Sequence, residues 1–236
     1  MLAKAKTTTG RTAIVLAAGS GTRLNAGTNK VWLPLAGREL ASWSLRWLAA
    51  TNLFDRFVVV THPDEREFAR SVLLKHLRVD IDFVDGGSSR HGSETRALEY
   101  ISPTIENGSC RLVLIHDGAR PLAGPALIKR IVAAAEADGG ALPYLESAAL
   151  EGAPIDANLV RVQTPQVFAA SPLLDAYRQA ARDGFEGSDT SMCMERYRPD
   201  VSVRCVRGSA SNLKVTYPQD LVMAEHILSS EKHELR

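Results

Sequence analysis

Residues 12–24 read Thr12-Ala13-Ile14-Val15-Leu16-Ala17-Ala18-Gly19-Ser20-Gly21-Thr22-Arg23-Leu24, with Lys30 a few positions on. The run Thr12 to Leu16 is short and apolar, as expected of a buried first strand. It passes into small residues, Ala17 through Gly21, where backbone N–H groups can turn inward without side chains in the way. Successive amides in such a turn make a concave anion site. Arg23 and Lys30 add two cations beside it. Amides and fixed cations together suit a triphosphate, which needs positive groups where charge builds during phosphoryl transfer.

Two better-known phosphate motifs do not fit. A dinucleotide fingerprint requires Gly where Leu24 stands, and the ATPase phosphate loop requires Gly-Lys-Ser/Thr where the chain has Asn29-Lys30-Val31. Taken alone, Gly19-Ser20-Gly21 also fits an ordinary strand-to-helix turn.

Outward from this stretch, strands and helices alternate. Phe57 to Thr61, Val79 to Val84, Leu112 to Ile115 and Ala141 to Leu145 read as further strands. Leu40, Trp43 and Trp47 share one helical face. Pro63 opens a helix at the position proline tolerates best, with Phe68, Val72 and Leu73 expected to face inward. Helices are also expected over Ser93 to Tyr100, around Leu127 to Val132, around Leu174 to Ala181, and at Met192 and Met194. Val160 to Phe168 reads as extended, Val201 to Val206 as a late strand, and Asn212 to Thr216 as short and extended. Leu221, Ala224 and Leu228 mark a closing amphipathic helix. Repeated strand–helix units imply a mostly parallel, doubly wound, Rossmann-like α/β sheet with right-handed crossovers and helices on both faces. Sites in such sheets lie at the carboxyl ends of the strands, where three polar segments fall: Gly19 to Arg23, Gly86 to Arg90, and Asp117 to Arg120.

The composition narrows the classes. The chain has 236 residues with net charge +1, 45% of them hydrophobic, which suits one α/β domain and no polyanion-binding surface. No apolar run reaches the ~18 residues of a membrane span. Three cysteines, Cys110, Cys193 and Cys205, lack metal-ligand spacing and fit a reducing cytoplasm. Residues 1–11 and 231–236 are expected as tails around a single domain over 12–230.

Each remaining constellation has a functional and a bland reading. In Gly86-Gly87-Ser88-Ser89-Arg90 with Ser93, small residues let a flat base approach and hydroxyls can read a pyrimidine edge; the plain alternative is a serine N-cap. In His116-Asp117-Gly118-Ala119-Arg120, the carboxylate and guanidinium could hold a metal, a hydroxyl or a phosphate; the alternative is a local ion pair with a buried imidazole beside it. Thr164, in Gln163-Thr164-Pro165-Gln166, could contact a substrate phosphate. Lys214 could set a point charge between two phosphates, or be a solvated lysine on an edge strand.

In order and over nearly the whole chain, these segments resemble the 2-C-methyl-D-erythritol 4-phosphate cytidylyltransferase family of the non-mevalonate isoprenoid route. The resemblance implies transfer of CMP from CTP to methylerythritol phosphate with release of pyrophosphate. It implies Arg23, Lys30 and Lys214 as catalytic cations, and Ala17, Ala18, Gly19, Ser20 and Gly21 around the triphosphate. Gly86, Gly87, Ser88, Arg90 and Ser93 would serve the nucleotide, and Asp117, Arg120 and Thr164 the acceptor. It further implies Mg²⁺ on the triphosphate, with Asp117 as a possible ligand, and a homodimer joined by β-arms, here a shortened arm over about 143–162. The chain departs from the family pattern at Asn29 (Pro in the family), at Ala157 (Arg), at Ser147 in the place of an Asp-Thr pair, and at Glu94 and Arg96, where small and apolar residues are usual. Two other readings share the same residues. One is a nucleotidyltransferase for another polyol or sugar phosphate, such as ribitol phosphate, or for molybdopterin. The other is a non-catalytic nucleotide-binding paralogue.

Overall fold

The computed structural model describes residues 9–19, 29–146 and 160–234. Ser20, Gly21 and Arg23, and the interior of the expected arm with Ser147 and Ala157, lie outside these residues.

The sheet is built from strands that alternate between two apolar layers. β1 (Arg11–Leu16) sends Ala13 and Val15 into one core and Ile14 into the other. That two-sided burial is the mark of a central parallel strand. β1 pairs in parallel with β4 (Arg56–Thr61) and β6 (Leu112–Asp117), and β4 pairs in parallel with β5 (Ile81–Asp85). A small hairpin of β2 (Pro34–Leu35) and β3 (Arg38–Glu39) stands apart. α1 (Leu40–Ala50), α2 (Arg66–His76), α4 (Pro125–Asp138) and α7 (Pro218–Glu234) cover one face. α3 (Arg90–Glu106), α5 (Ala170–Asp183) and α6 (Thr190–Tyr197) cover the other. The doubly wound α/β expectation is met.

The far half of the sheet differs from a simple succession. The fifth long strand, β7 (Gly139–Glu146), does not join β6. Strand β9 (Gln166–Ala169) inserts between them, antiparallel to both. The path is β10-β7-β9-β6-β1-β4-β5, with β10 (Ser202–Arg207) parallel to β7 at the edge. β8 (Val160–Val162) pairs antiparallel with the end of β7, Glu146 opposite Val160, within the span over about 143–162 where the arm is expected.

Several boundaries move. Val160 to Phe168 is two strands separated by a turn with a cis Thr164–Pro165 bond. Asn212 to Thr216 is a loop and not a strand; the Val215 N–H goes to the Ala119 carbonyl. Hydrogen bonding and regular structure extend past 12–230 at both ends. Gly10 N–H bonds Asp55 at 2.7 Å, Arg11 already belongs to β1, and α7 runs on to Glu234. Phe68 does not face inward: it is 51% exposed and meets Trp32 edge-on, while Ala69 and Leu73 fill the core.

Candidate active site

A cleft of about 510 Å³ opens at the carboxyl edge of the parallel strands, within the usual size range of ligand pockets. Leu16, Ala18 and Gly19 line it from the end of β1, and Lys30 and Val31 from the next turn. Gly87, Ser88, Ser89, Arg90 and Ser93 line it from the entry to α3, and Asp117, Ala119 and Lys214 from the far side. Segments almost 200 positions apart therefore share one cavity. His62, just past β4, also lines it and was not singled out from the sequence. Its signal was available, since it follows a strand's carboxyl end as the other lining segments do.

The first loop is held close to the second. Ala17 N–H bonds the Val60 carbonyl at 2.8 Å, and Gly86 N–H bonds the Thr61 carbonyl at 2.7 Å. A Cβ on Gly86 would come within 2.3 Å of the Ala18 Cβ, so only glycine permits this approach. Ser89 is the N-cap of α3, accepting the Gly92 N–H at 3.0 Å. The Ser93 hydroxyl donates to the Ser89 carbonyl and accepts the Gly87 N–H. The bland and the functional readings coexist here: the caps shape a loop whose Ser88 and Gly87 face the cavity. Arg96 fastens the same loop by donating to the Gly86 carbonyl at 2.7 Å.

Lys30 is 9% exposed and belongs to a short 3₁₀ turn, Lys30–Trp32. Its neighbour Asn29 caps that turn.

On the far side, Asp117 gathers cations. Lys214 Nζ lies 2.8 Å from it, an Arg90 nitrogen 3.3 Å and Arg120 Nε 3.7 Å. Burial alone would raise the carboxyl pKa, but Lys214, Arg90 and Arg120 outweigh it and hold Asp117 well below the usual carboxylate range. Arg90 also lies 2.6 Å from Glu94, a fully buried carboxylate on the next turn of α3. That contact is an ion pair whose N–H is not aimed at the oxygen. Glu94 further accepts hydrogen bonds from Tyr177 of α5 and Thr190 of α6. Its burial pushes its pKa up, against the pull of Arg90. Arg120 donates to the Asn212 carbonyl at 2.8 Å, and Asn212 donates to the Thr164 carbonyl at 2.9 Å. The loop carrying Lys214 is thus fixed both to the Asp117–Arg120 segment and to the turn at Thr164.

Thr164 and His116 lie beneath this cluster. Asp117 N–H donates to Thr164 Oγ1, and Thr164 Oγ1 lies 3.0 Å from His116 Nδ1. His116 Nε2 lies 3.1 Å from the Arg120 carbonyl. The carbonyl needs a donor, which assigns the proton to Nε2 and leaves Nδ1 to accept from Thr164. Burial lowers the His116 pKa to about 4. His116 is therefore the neutral, satisfied imidazole of the bland reading. Thr164 is buried and spends its hydroxyl proton on His116.

Among the described residues no cluster of three or more His, Cys, Asp or Glu side chains could hold a metal ion. Asp117 does not fit a metal-ligand role in this arrangement, because a dication at its oxygens would face three cations already within 3.7 Å.

Such a cleft, walled by small-residue loops and cations at the carboxyl edge of an open α/β sheet, belongs to the nucleotide-transferase class of folds. A solved 4-diphosphocytidyl-2C-methyl-D-erythritol synthase from Anaerococcus prevotii shares the fold at TM-score 0.78 and 24% identity, covering 93% of this chain and 96% of that one. A 2-C-methyl-D-erythritol 4-phosphate cytidylyltransferase structure from Thermus thermophilus aligns at TM-score 0.70 and 28% identity, covering 92% and 98%. A curated protein of the same description from Cereibacter sphaeroides is 37% identical over 227 residues, 92% of this chain and 96% of its own. The family model for 2-C-methyl-D-erythritol 4-phosphate cytidylyltransferase matches residues 12–230, and the chain belongs to that family. It is an enzyme of the nucleotidyltransferase class.

Proposed function

We propose that this enzyme transfers CMP from CTP to 2-C-methyl-D-erythritol 4-phosphate, releasing pyrophosphate. The observation that carries the reading is the single cleft shared by Lys30, the Gly87–Ser93 loop, Asp117 and Lys214. The acceptor's phosphate oxygen attacks the α-phosphorus of CTP in line, and the bond to the β-phosphate oxygen breaks. No side-chain nucleophile is required, since the attacking phosphate is already ionised. Catalysis rests on positioning and on stabilising charge.

In this reading Lys30, with Arg23 from the sequence, faces the triphosphate, and Gly86, Gly87 and Ser88 face the base. Lys214 bridges the nucleotide and acceptor sides, where Arg120 also stands. Thr164 acts through His116 and the Asp117 backbone and positions that wall from below. Mg²⁺ enters with CTP as part of the nucleotide substrate, held by phosphate oxygens; magnesium ions typically bind through phosphates and few protein ligands. A homodimer joined through the β7–β8 pair and a cytoplasmic setting complete the proposal. No described helix is long and apolar enough to cross a membrane.

The test is turnover of Lys30→Ala and Arg23→Ala beside nucleotide selectivity. Each variant is expected to lose a factor on the order of 10²–10³ in turnover, the scale for one pre-placed stabilising donor. CTP, and not ATP, GTP or UTP, should raise the melting temperature. Wild-type turnover in both variants would sink the reading.

A further inference from the structure

The turn that carries Lys30 is tied down by one buried amide. Asn29 is 6% exposed. Its Nδ2 donates to the Ala17 carbonyl at 2.8 Å and to Glu65 Oε2 at 2.8 Å. Its Oδ1 accepts the Val31 N–H at 3.3 Å. Both amide protons therefore have oxygen acceptors and the amide oxygen has an N–H donor, so the partners fix which way the amide points. The same Glu65 oxygen accepts the Trp32 indole N–H at 2.9 Å. Trp32 N–H returns to the Asn29 carbonyl at 3.0 Å.

These bonds have one consequence for Lys30. Asn29 and Trp32 bracket it, and both are anchored to Glu65, in the short turn after β4. Asn29 is also anchored to Ala17, whose own N–H is bonded to β4 through Val60. The lysine backbone is thus referred to the rigid edge of the sheet at two points. A lysine side chain is long and rich in rotamers, so its ammonium is placed well only if its backbone is.

We propose that Asn29 is a positioning residue, which with Glu65 fixes the turn that aims Lys30 into the cleft. The proposal rests on the reading of Lys30 as a group that acts on the triphosphate.

The test is a double-variant cycle on the full-length enzyme, assayed below every variant's melting temperature. Asn29→Ala should lower kcat by about 10- to 100-fold, the scale of a small misplacement of a reacting group. The KM for CTP should stay within about twofold, the pattern of an interaction lost chiefly in the transition state. Asn29→Asp keeps the cap but loses both donations and sets a carboxylate against Glu65, so it should lose at least as much. In the Lys30→Ala background, Asn29→Ala should lower kcat by no more than about twofold, because residues acting as a unit are not additive. If Lys30→Ala is impaired and the two losses multiply, Asn29 does not act through Lys30 and the proposal fails alone. If Asn29→Ala lowers the melting temperature but keeps wild-type kcat, its role is structural and the proposal also fails. Wild-type kcat in Lys30→Ala would overturn the reading of Lys30 and this proposal with it.

Discussion

Lys214 Nζ sits 2.8 Å from Asp117 Oδ2, joining a loop near the carboxyl end of the chain to the tip of a central strand. Asp117 also faces Arg90 and Arg120, so one carboxylate keeps three cations from repelling one another in a half-closed cleft. Removing its charge should therefore act differently on binding and on turnover. Asp117→Asn is expected to bind CTP at least as tightly as wild type, since the cleft becomes more positive. It should turn over at least about tenfold more slowly, because the cations are no longer held in place. Calorimetric titration with CTP and Mg²⁺ checks this. Weaker CTP binding would instead support Asp117 as a metal ligand.

Glu94 predicts a stability effect away from the cleft. It is fully buried and joins Arg90 to Tyr177 and Thr190. Glu94→Ala leaves the partly buried Arg90 guanidinium with Asp117 alone and takes the acceptor from two buried hydroxyls, a loss on the order of 3 kcal/mol. For a chain of this size that is a fall of roughly 10 °C in melting temperature. Glu94→Gln, which still accepts from one hydroxyl and can donate its NH2 to the other, should fall by less than half as much. Equal stability of Glu94→Ala and wild type by thermal denaturation would show that the buried carboxylate holds nothing together.

His116 gives a pH dependence with a definite sign. Its pKa is lowered to about 4 by burial, below the ordinary value of about 6.5. Between those values the unfolded chain takes up the proton more readily than the folded one. This contribution to stability is thus complete above about pH 6.5 and is lost as the pH falls toward 4, by on the order of 3 kcal/mol. His116→Gln should flatten that part of the stability curve in denaturant titrations run across this range. An unchanged slope would mean that His116 does not titrate as assigned.

Gly86 is a steric prediction. A methyl there would stand 2.3 Å from the Ala18 Cβ and 3.1 Å from the Ser93 Oγ. Gly86→Ala should therefore separate the two loops and raise the KM for CTP on the order of tenfold, about 1.4 kcal/mol of lost binding. Steady-state kinetics with varied CTP decide it.

Much of this was legible because local signals and burial agree. The β1 run, Gly86-Gly87 and His116-Asp117 all sit where a parallel sheet puts its site, and the cleft collects Leu16, Gly87 and Asp117 from them. The insertion of β9 between β6 and β7 was not legible, because strand order depends on long-range pairing and Gln166 to Ala169 carries no mark of its neighbours. Periodicity misplaces Phe68: the buried face of its helix runs through Ala69 and Leu73, and the Phe68 ring stays half in solvent against the edge of Trp32. Asn212 to Thr216 reads as short and extended, yet its backbone bonds go to loops. Asn29 and Glu94, read from the sequence only as departures from the family pattern, prove to be buried and fully engaged residues around Lys30 and Arg90. Their roles depend on Glu65, Tyr177 and Thr190, partners that no spacing along the chain announces.

The most direct test of the account is pyrophosphate release by the purified enzyme with Mg²⁺ and CTP, in the presence and absence of 2-C-methyl-D-erythritol 4-phosphate. The account predicts release only when both substrates are present, with ribitol 5-phosphate giving at most a trace. Release that is independent of methylerythritol phosphate, or none at all while CTP still raises the melting temperature, would contradict it.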